Sequence, residues 1–271
     1  MKRLLTLTAI CLPLYLFAQG FGSFSHDQPF FANDSAAGGQ TPEQIALSAA
    51  VHRWVYSDLT NNAPVTNWID RIAGSVWTNG AIANRATNSS SGVFFDSSHY
   101  LTNNWQSFPS NVAFGFIVNI VDPDDGGTVH PALLFDNGPS EGTTYAYRFL
   151  FGGEQLQVWL ANAGYDLTVG PYPIVGTKHT MLFDQAHIAG NNDVYFWTNN
   201  VMSKTLTGGG SWATTAGIYP YWLGQNRFRN SGPKMFINEL WIWTNVVGSQ
   251  LTTSVRSNWH YYATNTYGFT P

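Results

Sequence analysis

Ten short runs of β-branched and aromatic residues, each bounded by turn-forming residues, leave this 271-residue chain few folds to choose from. From Val51 onward the runs are VHRWVYS, GVFFDSS, VAFGFIVNIV, ALLFDN, TYAYRFLF, LQVWLANA, KHTMLFDQA, DVYFWTNN, YWLGQN and FINELWIWTN, with DPDDGG, FGGE and TGGGS among the breaks. Val, Ile, Phe, Tyr and Trp suit a pleated, half-buried surface, whereas Gly, Asn and Asp reach the conformations of tight turns. The pattern therefore predicts an all-β fold with antiparallel strands, a two-sheet sandwich or jelly roll. Helical signals are confined to the two ends. Thr41-Pro-Glu-Gln, running into IALSAA, predicts a short helix with Thr41 as its cap. VGSQLTTSVRSNWHYYA predicts another near residue 260. The tripeptide Trp-Thr-Asn recurs at Trp77, Trp197 and Trp243, but at uneven spacing, so it marks strand ends and not a tandem repeat.

Hydrophobic residues make up 44% of the chain and aromatics 15%, enough to fill such a sandwich. Charged residues make up only 10%, and the formal net charge of -4 gives no electrostatic case for nucleic acid as a partner. MKRLLTLTAICLPLYLFA, residues 1–18, has the basic start and short apolar run of a secretory signal peptide. Cleavage after Ala18 would remove Lys2 and Arg3 and no acid, taking the charge from -4 to -6. No second apolar run is long enough to span a bilayer, so the expected location is secreted, extracellular or periplasmic. Cys11 is the only cysteine and lies inside that signal, so the mature chain has no disulfide, thiolate metal site or cysteine nucleophile. Residues 19–47 read as a leader rich in Gly, Ser and Phe that ends in the short helix. Residues 48–271 read as the sandwich domain.

FINELWIWTN, Phe236 to Asn245, sets one acid among three large rings. Strict alternation along a strand puts Phe236, Asn238, Leu240 and Ile242 on one face, and Ile237, Glu239, Trp241 and Trp243 on the other. The first face is expected to enter the core. On the second, Glu239 can accept hydrogen bonds from loop amides, or from Arg53 or Arg71. Trp241 and Trp243 there form either an exposed platform for sugar rings or a surface covered by a loop or by the Phe-rich leader.

The order of the segments resembles the laminin-G-like, concanavalin A-like jelly roll of secreted bacterial proteins. VHRWVYSDL resembles its opening strand and acidic turn, and SGVFFDSSHYLTN its Gly-x-x-Phe-Asp-Gly-x-x-Tyr strand pair. GTKHTMLFDQAHIAGNNDVYFWTNNVM resembles its central hairpin, and LGQNRFRNSGPKMFINELWIWTNVVGSQL its closing strand and short helix. The chain departs from the pattern in three places. Asn199-Asn200 replaces the Asn-Gly turn, Asn238 replaces the Asp before the closing Glu, and Trp241 replaces an Arg. The resemblance implies a β-sandwich, secretion and a role in binding or adhesion. It also implies a structural calcium ion where the first and last strands pair, held by Asp58, Asp70 and Glu239.

Relatives of that fold that cut polysaccharides carry paired carboxylates, as in Glu-x-Asp-x-x-Glu. Glu43, Glu141, Glu154 and Glu239 are the only glutamates, and none has a second acid two or four residues away. The seven histidines form no His-x-His or His-x-x-x-His pair, and His179 reads as a strand histidine. Asp122, Asp124 and Asp125, in DPDDGG, read either as calcium ligands or as an ordinary turn. Aromatic residues in or beside polar loops are the candidate ligand contacts. They are Trp105, Tyr165, Tyr172, Tyr219, Tyr221 and Trp222, together with Trp241 and Trp243 of the closing strand. Stacking rings beside Asn, Gln and Asp hydrogen-bonding groups is what a neutral glycan requires. The leading expectation is a non-catalytic module that binds a polysaccharide or cell-surface glycan, with calcium as the one expected cofactor. A self-associating matrix, sheath or filament protein and a glycan-active enzyme with dispersed carboxylates remain as alternatives.

Overall fold

Among the described residues, sixteen strands in two antiparallel sheets account for most of the regular structure. The computed structural model describes residues 39–96, 98–103, 112–122, 132–134, 147–152, 155–160, 165–171, 175–188, 191–209, 221–225, 232–244 and 250–268. The signal-like segment and the Phe-rich leader lie outside them. Gln40–Pro271 forms one compact unit.

The first sheet runs β14 (Val201–Gly209), β13 (Asn191–Thr198), β12 (Lys178–Ile188), β7 (Val112–Asp122), β16 (Lys234–Thr244), β5 (Gly92–Phe95) and β4 (Thr87–Ser89). A further strand, β1 (Ala50–Val55), shares the edge of β16 with β5. The second sheet runs β11 (Tyr165–Pro171), β10 (Gln155–Leu160), β9 (Tyr147–Gly152), β8 (Ala132–Leu134), β15 (Tyr221–Leu223), β6 (Leu101–Asn103), β3 (Val76–Thr78) and β2 (Asn67–Ile69). Trp54, Phe114, Phe116, Phe183 and Leu240 from the first sheet meet Trp68, Trp77, Leu101 and Leu223 from the second, all fully buried or nearly so. This is the antiparallel two-sheet sandwich expected, with helical segments near both ends.

A third layer covers the outer face of the first sheet. It consists of α1 (Pro42–Leu47) and α2 (Thr253–Tyr267). Ala46, Val255, Trp259 and Ala263 pack there against Ala113, Ile117, Leu182, Trp241 and Trp243. The sequence places α1 by its capping box. Gln44 donates its backbone N–H to the Thr41 hydroxyl at 3.3 Å, and the Gln44 side chain accepts from the Thr41 amide at 2.8 Å. Pro42 sits in the first turn, where its missing N–H costs nothing. The central hairpin turns at Asn199 and Asn200 with φ of 50° and 60°, so Asn does there what Gly does in the resembled family. None of the described helices is long and apolar enough to cross a membrane.

Strand β16 departs from strict alternation. Its register against β7 shifts between Ile237 and Glu239, which makes Asn238 an extra, bulged residue. Met235 and Ile237 therefore face the sandwich together with Leu240 and Ile242. The expected grouping of Ile237 with Glu239, and of Phe236 with Leu240, is corrected by this bulge. Phe236 instead packs its ring on Phe94 at 4.8 Å. Asn238 Nδ2 donates to the Ser91 carbonyl at 2.9 Å. Gly92, with φ of 128°, brings its backbone so close that a Cβ would lie 2.9 Å from the Ile237 carbonyl oxygen.

Candidate functional site

Two groupings of polar and aromatic side chains merit comparison as sites. The first surrounds Glu239, which is fully buried and pairs with Val55 across β1–β16. Arg53 reaches it from the neighbouring strand with two parallel bonds, Nε to Oε2 at 3.1 Å and Nη2 to Oε1 at 3.2 Å. Trp241 donates its indole N–H to Oε2 at 2.5 Å, and Tyr262 donates its hydroxyl to Oε1 at 2.6 Å. Tyr267 also donates to Oε1. Arg53 turns its remaining nitrogen to Glu43 of α1 at 2.6 Å and lies over the Trp241 ring at 4.4 Å.

Burial works against the charge on Arg53, but the Glu239 charge and hydrogen bonds outweigh it and hold the guanidinium above its ordinary pKa. Burial, and then the Glu239 charge, push the Tyr262 and Tyr267 hydroxyls above theirs, so both stay protonated donors. Every lobe of the carboxylate is thus engaged by the protein. The grouping is a clasp joining β1, β16, α1 and α2, and Arg53, one of the two arginines expected from the sequence, supplies the cation.

The same layer decides the fate of Trp241 and Trp243. Both are fully buried, stacked at 5.6 Å, and Trp259 of α2 meets Trp243 edge-on at 5.4 Å. The Trp243 indole donates to the Ala46 carbonyl at 2.9 Å. Neither ring offers a face to a sugar, so of the two alternatives the covered surface holds, and Trp241 and Trp243 are corrected as candidate ligand contacts. The cover consists of the two helices.

Asp58, Asp70 and Glu239 do not converge on one point either. Asp58 forms an exposed pair with Arg71, at 2.5 and 2.7 Å. Asp70 accepts from the amides of Arg53, Ile72 and Ala73 at 2.8, 2.9 and 3.0 Å and pairs with His52 Nδ1 at 2.6 Å. Burial opposes its charge, but the His52 bond and those amides hold its pKa below the ordinary carboxylate value. Each acid of the expected calcium set therefore has a different partner. Among the described residues, no three His, Cys, Asp or Glu side chains converge as metal ligands. Asp122 ends β7 opposite Lys234, while Asp124 and Asp125 lie outside the described residues. His179, on β12, is buried between Thr177 at 2.7 Å and Asn199 at 3.1 Å.

Of the aromatic candidates, Trp105, Tyr172 and Tyr219 lie outside the described residues, and Tyr165 opens β11. Tyr221 is corrected as a ligand contact: it sits in the sandwich core, where burial pushes its hydroxyl pKa up. Trp222, its neighbour on β15, points to the opposite face. There the ring is half-buried and packs against Tyr100, with centroids 4.3 Å apart and planes tilted by 33°.

Strand pairing continues the Trp222 position into a straight row. Trp222 stands opposite Thr102 of β6, Thr102 opposite Thr78 of β3, and Thr78 opposite Asn67 of β2. Their sequence neighbours Tyr221, Leu223, Leu101, Trp77 and Trp68 are buried in the core, which assigns the row to the outer face. Thr102 and Trp222 are half-buried, while Thr78 and Asn67 are exposed. The Thr102 hydroxyl donates to the Thr78 carbonyl at 3.1 Å, so its oxygen remains able to accept.

Behind the row, the buried Asn79 side chain donates to the Tyr100 carbonyl at 2.7 Å and the Asn84 carbonyl at 2.9 Å, and accepts from the Ala81 amide at 2.7 Å. The Tyr100 backbone is therefore fixed by a buried side chain. The sequence reading found Trp222 and missed Tyr100, Thr102, Thr78 and Asn67. The signal present was the alternation within Asn-Trp-Ile, Val-Trp-Thr and Leu-Thr-Asn, runs too short to stand out without the pairing.

Comparison of the sequence with known families and with curated proteins finds no match. Comparison of the fold does find similar structures. Trypanosoma rangeli sialidase, solved in complex with sialic acid, matches 83% of this chain and 34% of its own at 13% identity, with a TM-score of 0.54. The binding domain of Paraclostridial Mosquitocidal Protein 1 matches 81% and 53% at 8% identity, with a TM-score of 0.54. An arabinofuranosidase complexed with arabinofuranosyl-xylobiose matches 77% and 58% at 12% identity, with a TM-score of 0.51. The chain thus spans from about a third to somewhat over half of these proteins. At such identities the likeness is one of fold alone.

Proposed function

We propose that the protein is a secreted, non-catalytic glycan-binding module whose site is the outer face of the second sheet. The observation that carries this reading is the Tyr100–Trp222 pair, a tethered aromatic surface opening onto a row of uncharged hydrogen-bonding side chains. Aromatic rings stack on the apolar faces of sugars, and hydroxyls and an amide satisfy sugar hydroxyls without requiring a charge. Similar folds solved with sialic acid and with arabinofuranosyl-xylobiose support the ligand class. The order of the laminin-G-like segments and the signal-like residues 1–18 support the jelly-roll family and secretion.

Four of the described acids are tied up in pairs with basic side chains, which supports a binding role for this chain. Glu43, Asp58, Asp70 and Glu239 are all committed to ion pairs. Calcium, within this reading, belongs to Asp122, Asp124 and Asp125.

A glycan array on the chain from Gln19 onward tests the proposal, run with calcium and with chelator beside a Trp222→Ala variant. Binding that Trp222→Ala removes, with the thermal midpoint kept, is the expected result. Binding unchanged by that substitution would move the site elsewhere, and no binding at all would end the glycan reading.

A further inference from the structure

The geometry points to a ligand class narrower than glycan: we infer that the site takes an extended, neutral oligosaccharide segment laid across the strands, and not a single terminal sugar. The inference rests on the glycan reading above. Its ground is the direction and length of the row. Trp222, Thr102, Thr78 and Asn67 are direct partners across four adjacent strands, so their side chains line up perpendicular to the strand direction. Adjacent strands lie about 4.8 Å apart, so three spacings give a track of about 14 Å.

A site for one sugar is a concave pocket with polar groups converging on it. This surface is linear. Its apolar ring face stands at one end, with Tyr100 packed on Trp222, and its hydrogen-bonding groups continue away from that end. A sugar on Trp222 alone would leave Thr78 and Asn67 unused, although both stand exposed in the same row.

A second row runs beside the far end of the track. Ile69 pairs with Val76, two residues further along β2 and β3, and Ile69 is 57% exposed. Ligand units on Thr78 and Asn67 therefore have an apolar shoulder to lie against. None of the four row residues is charged, so the track itself gives an acidic sugar no ion-pair partner. An unbranched neutral chain, contacted through internal units, uses the whole length, and its energy accumulates unit by unit.

Isothermal titration with xylo-, cello- and manno-oligosaccharides of one to six units tests this on the parent, Trp222→Ala, Asn67→Ala and Thr78→Val proteins. Affinity is expected to climb with chain length until the track is filled and then to level off. Asn67→Ala and Thr78→Val each weaken the longest oligosaccharide by about fivefold, the effect of one lost hydrogen bond, and leave the shortest binders unchanged. Trp222→Ala weakens every length. Both far-end residues are exposed, so thermal midpoints should stay at the parental value and exclude misfolding.

A monosaccharide that binds as tightly as the hexamer would overturn the inference while leaving the glycan reading standing. So would long oligosaccharides indifferent to Asn67→Ala and Thr78→Val. Absence of binding by every probe would overturn both.

Discussion

Replacing Glu239 with Gln keeps the shape of the side chain and removes its charge, so the consequence can be worked out atom by atom. Oε1 accepts from Arg53 at 3.2 Å, from Tyr262 at 2.6 Å and from Tyr267; Oε2 accepts from Arg53 at 3.1 Å and from Trp241 at 2.5 Å. Glutamine supplies one oxygen. Its amide nitrogen must take the other position: at Oε2 it would meet only N–H donors, and at Oε1 it would meet hydroxyls that now donate and would have to turn to accept. On the Oε1 side it faces two hydroxyls and a guanidinium; on the Oε2 side it faces an indole and the same guanidinium. Arg53 would also lose its buried counter-charge and keep only Glu43, which is partly exposed.

Breaking a buried pair at one partner costs about 3–5 kcal/mol. In a domain of this size each kcal/mol moves the thermal midpoint by about 2–4 °C, so Glu239→Gln is expected to lower it by about 6–20 °C. Thermal unfolding by circular dichroism and urea unfolding at pH 7 measure this. A double variant, Arg53→Met with Glu239→Leu, removes both charges together and should recover part of the loss. A Glu239→Gln protein within about 1 kcal/mol of the parent would refute the claim that this charge holds the helical layer to the sheet.

Three further outcomes rest on other parts of the same layer and of the aromatic pair. Burial lowers the His260 pKa from 6.5 to about 4, so between those values the unfolded chain binds a proton that the folded protein refuses. Stability should therefore fall by about 3 kcal/mol as pH drops from 7 to 4, and urea midpoints for a His260→Asn variant should lose that part of the slope. A Cβ at Gly115 would lie 2.6 Å from the Trp243 ring and 2.9 Å from the Trp259 ring, so Gly115→Ala should cost about 1–3 kcal/mol in urea unfolding by lifting α2. Asn79→Asp turns a donor to the Tyr100 and Asn84 carbonyls into an acceptor. It should change the near-ultraviolet dichroism of the Tyr100–Trp222 pair and weaken glycan binding about tenfold, the equivalent of ~1.4 kcal/mol.

How far the sequence discloses this molecule differs from level to level. The sandwich is legible because its strands are long where it matters: β7, β12 and β16 each carry eleven residues, enough for composition and turns to speak. The cap at Thr41 and the Asn199-Asn200 turn are local chemistry, visible wherever they occur. The Arg53–Glu239 pairing could be anticipated because the first and last strands of such folds lie side by side.

What escaped is non-local. The bulge at Asn238 leaves no mark in a run of apolar residues, so the faces of β16 were assigned from strict alternation. The cover over Trp241 and Trp243 comes from helices separated by two hundred residues of chain, whose polar composition hides an apolar stripe of Val255, Trp259 and Ala263. The track through Trp222 is built from strands of three residues each, and only their register brings a threonine, a second threonine and an asparagine into line.

The bulge also says where this strand can change length. Met235 and Ile237 face inward, Glu239 faces outward, and Leu240 again faces inward, so β16 consists of two halves in opposite phase joined at Asn238. A chain shortened by that one residue would run in a single phase and still send Ile237 into the sandwich and Glu239 towards Arg53. Loss or gain of one residue anywhere else in the strand would turn one half inside out, putting a carboxylate or two tryptophans where the opposite sheet must close. Insertions and deletions in proteins built on this plan should accordingly gather at this junction and be excluded from the four strand residues before it and the six after it.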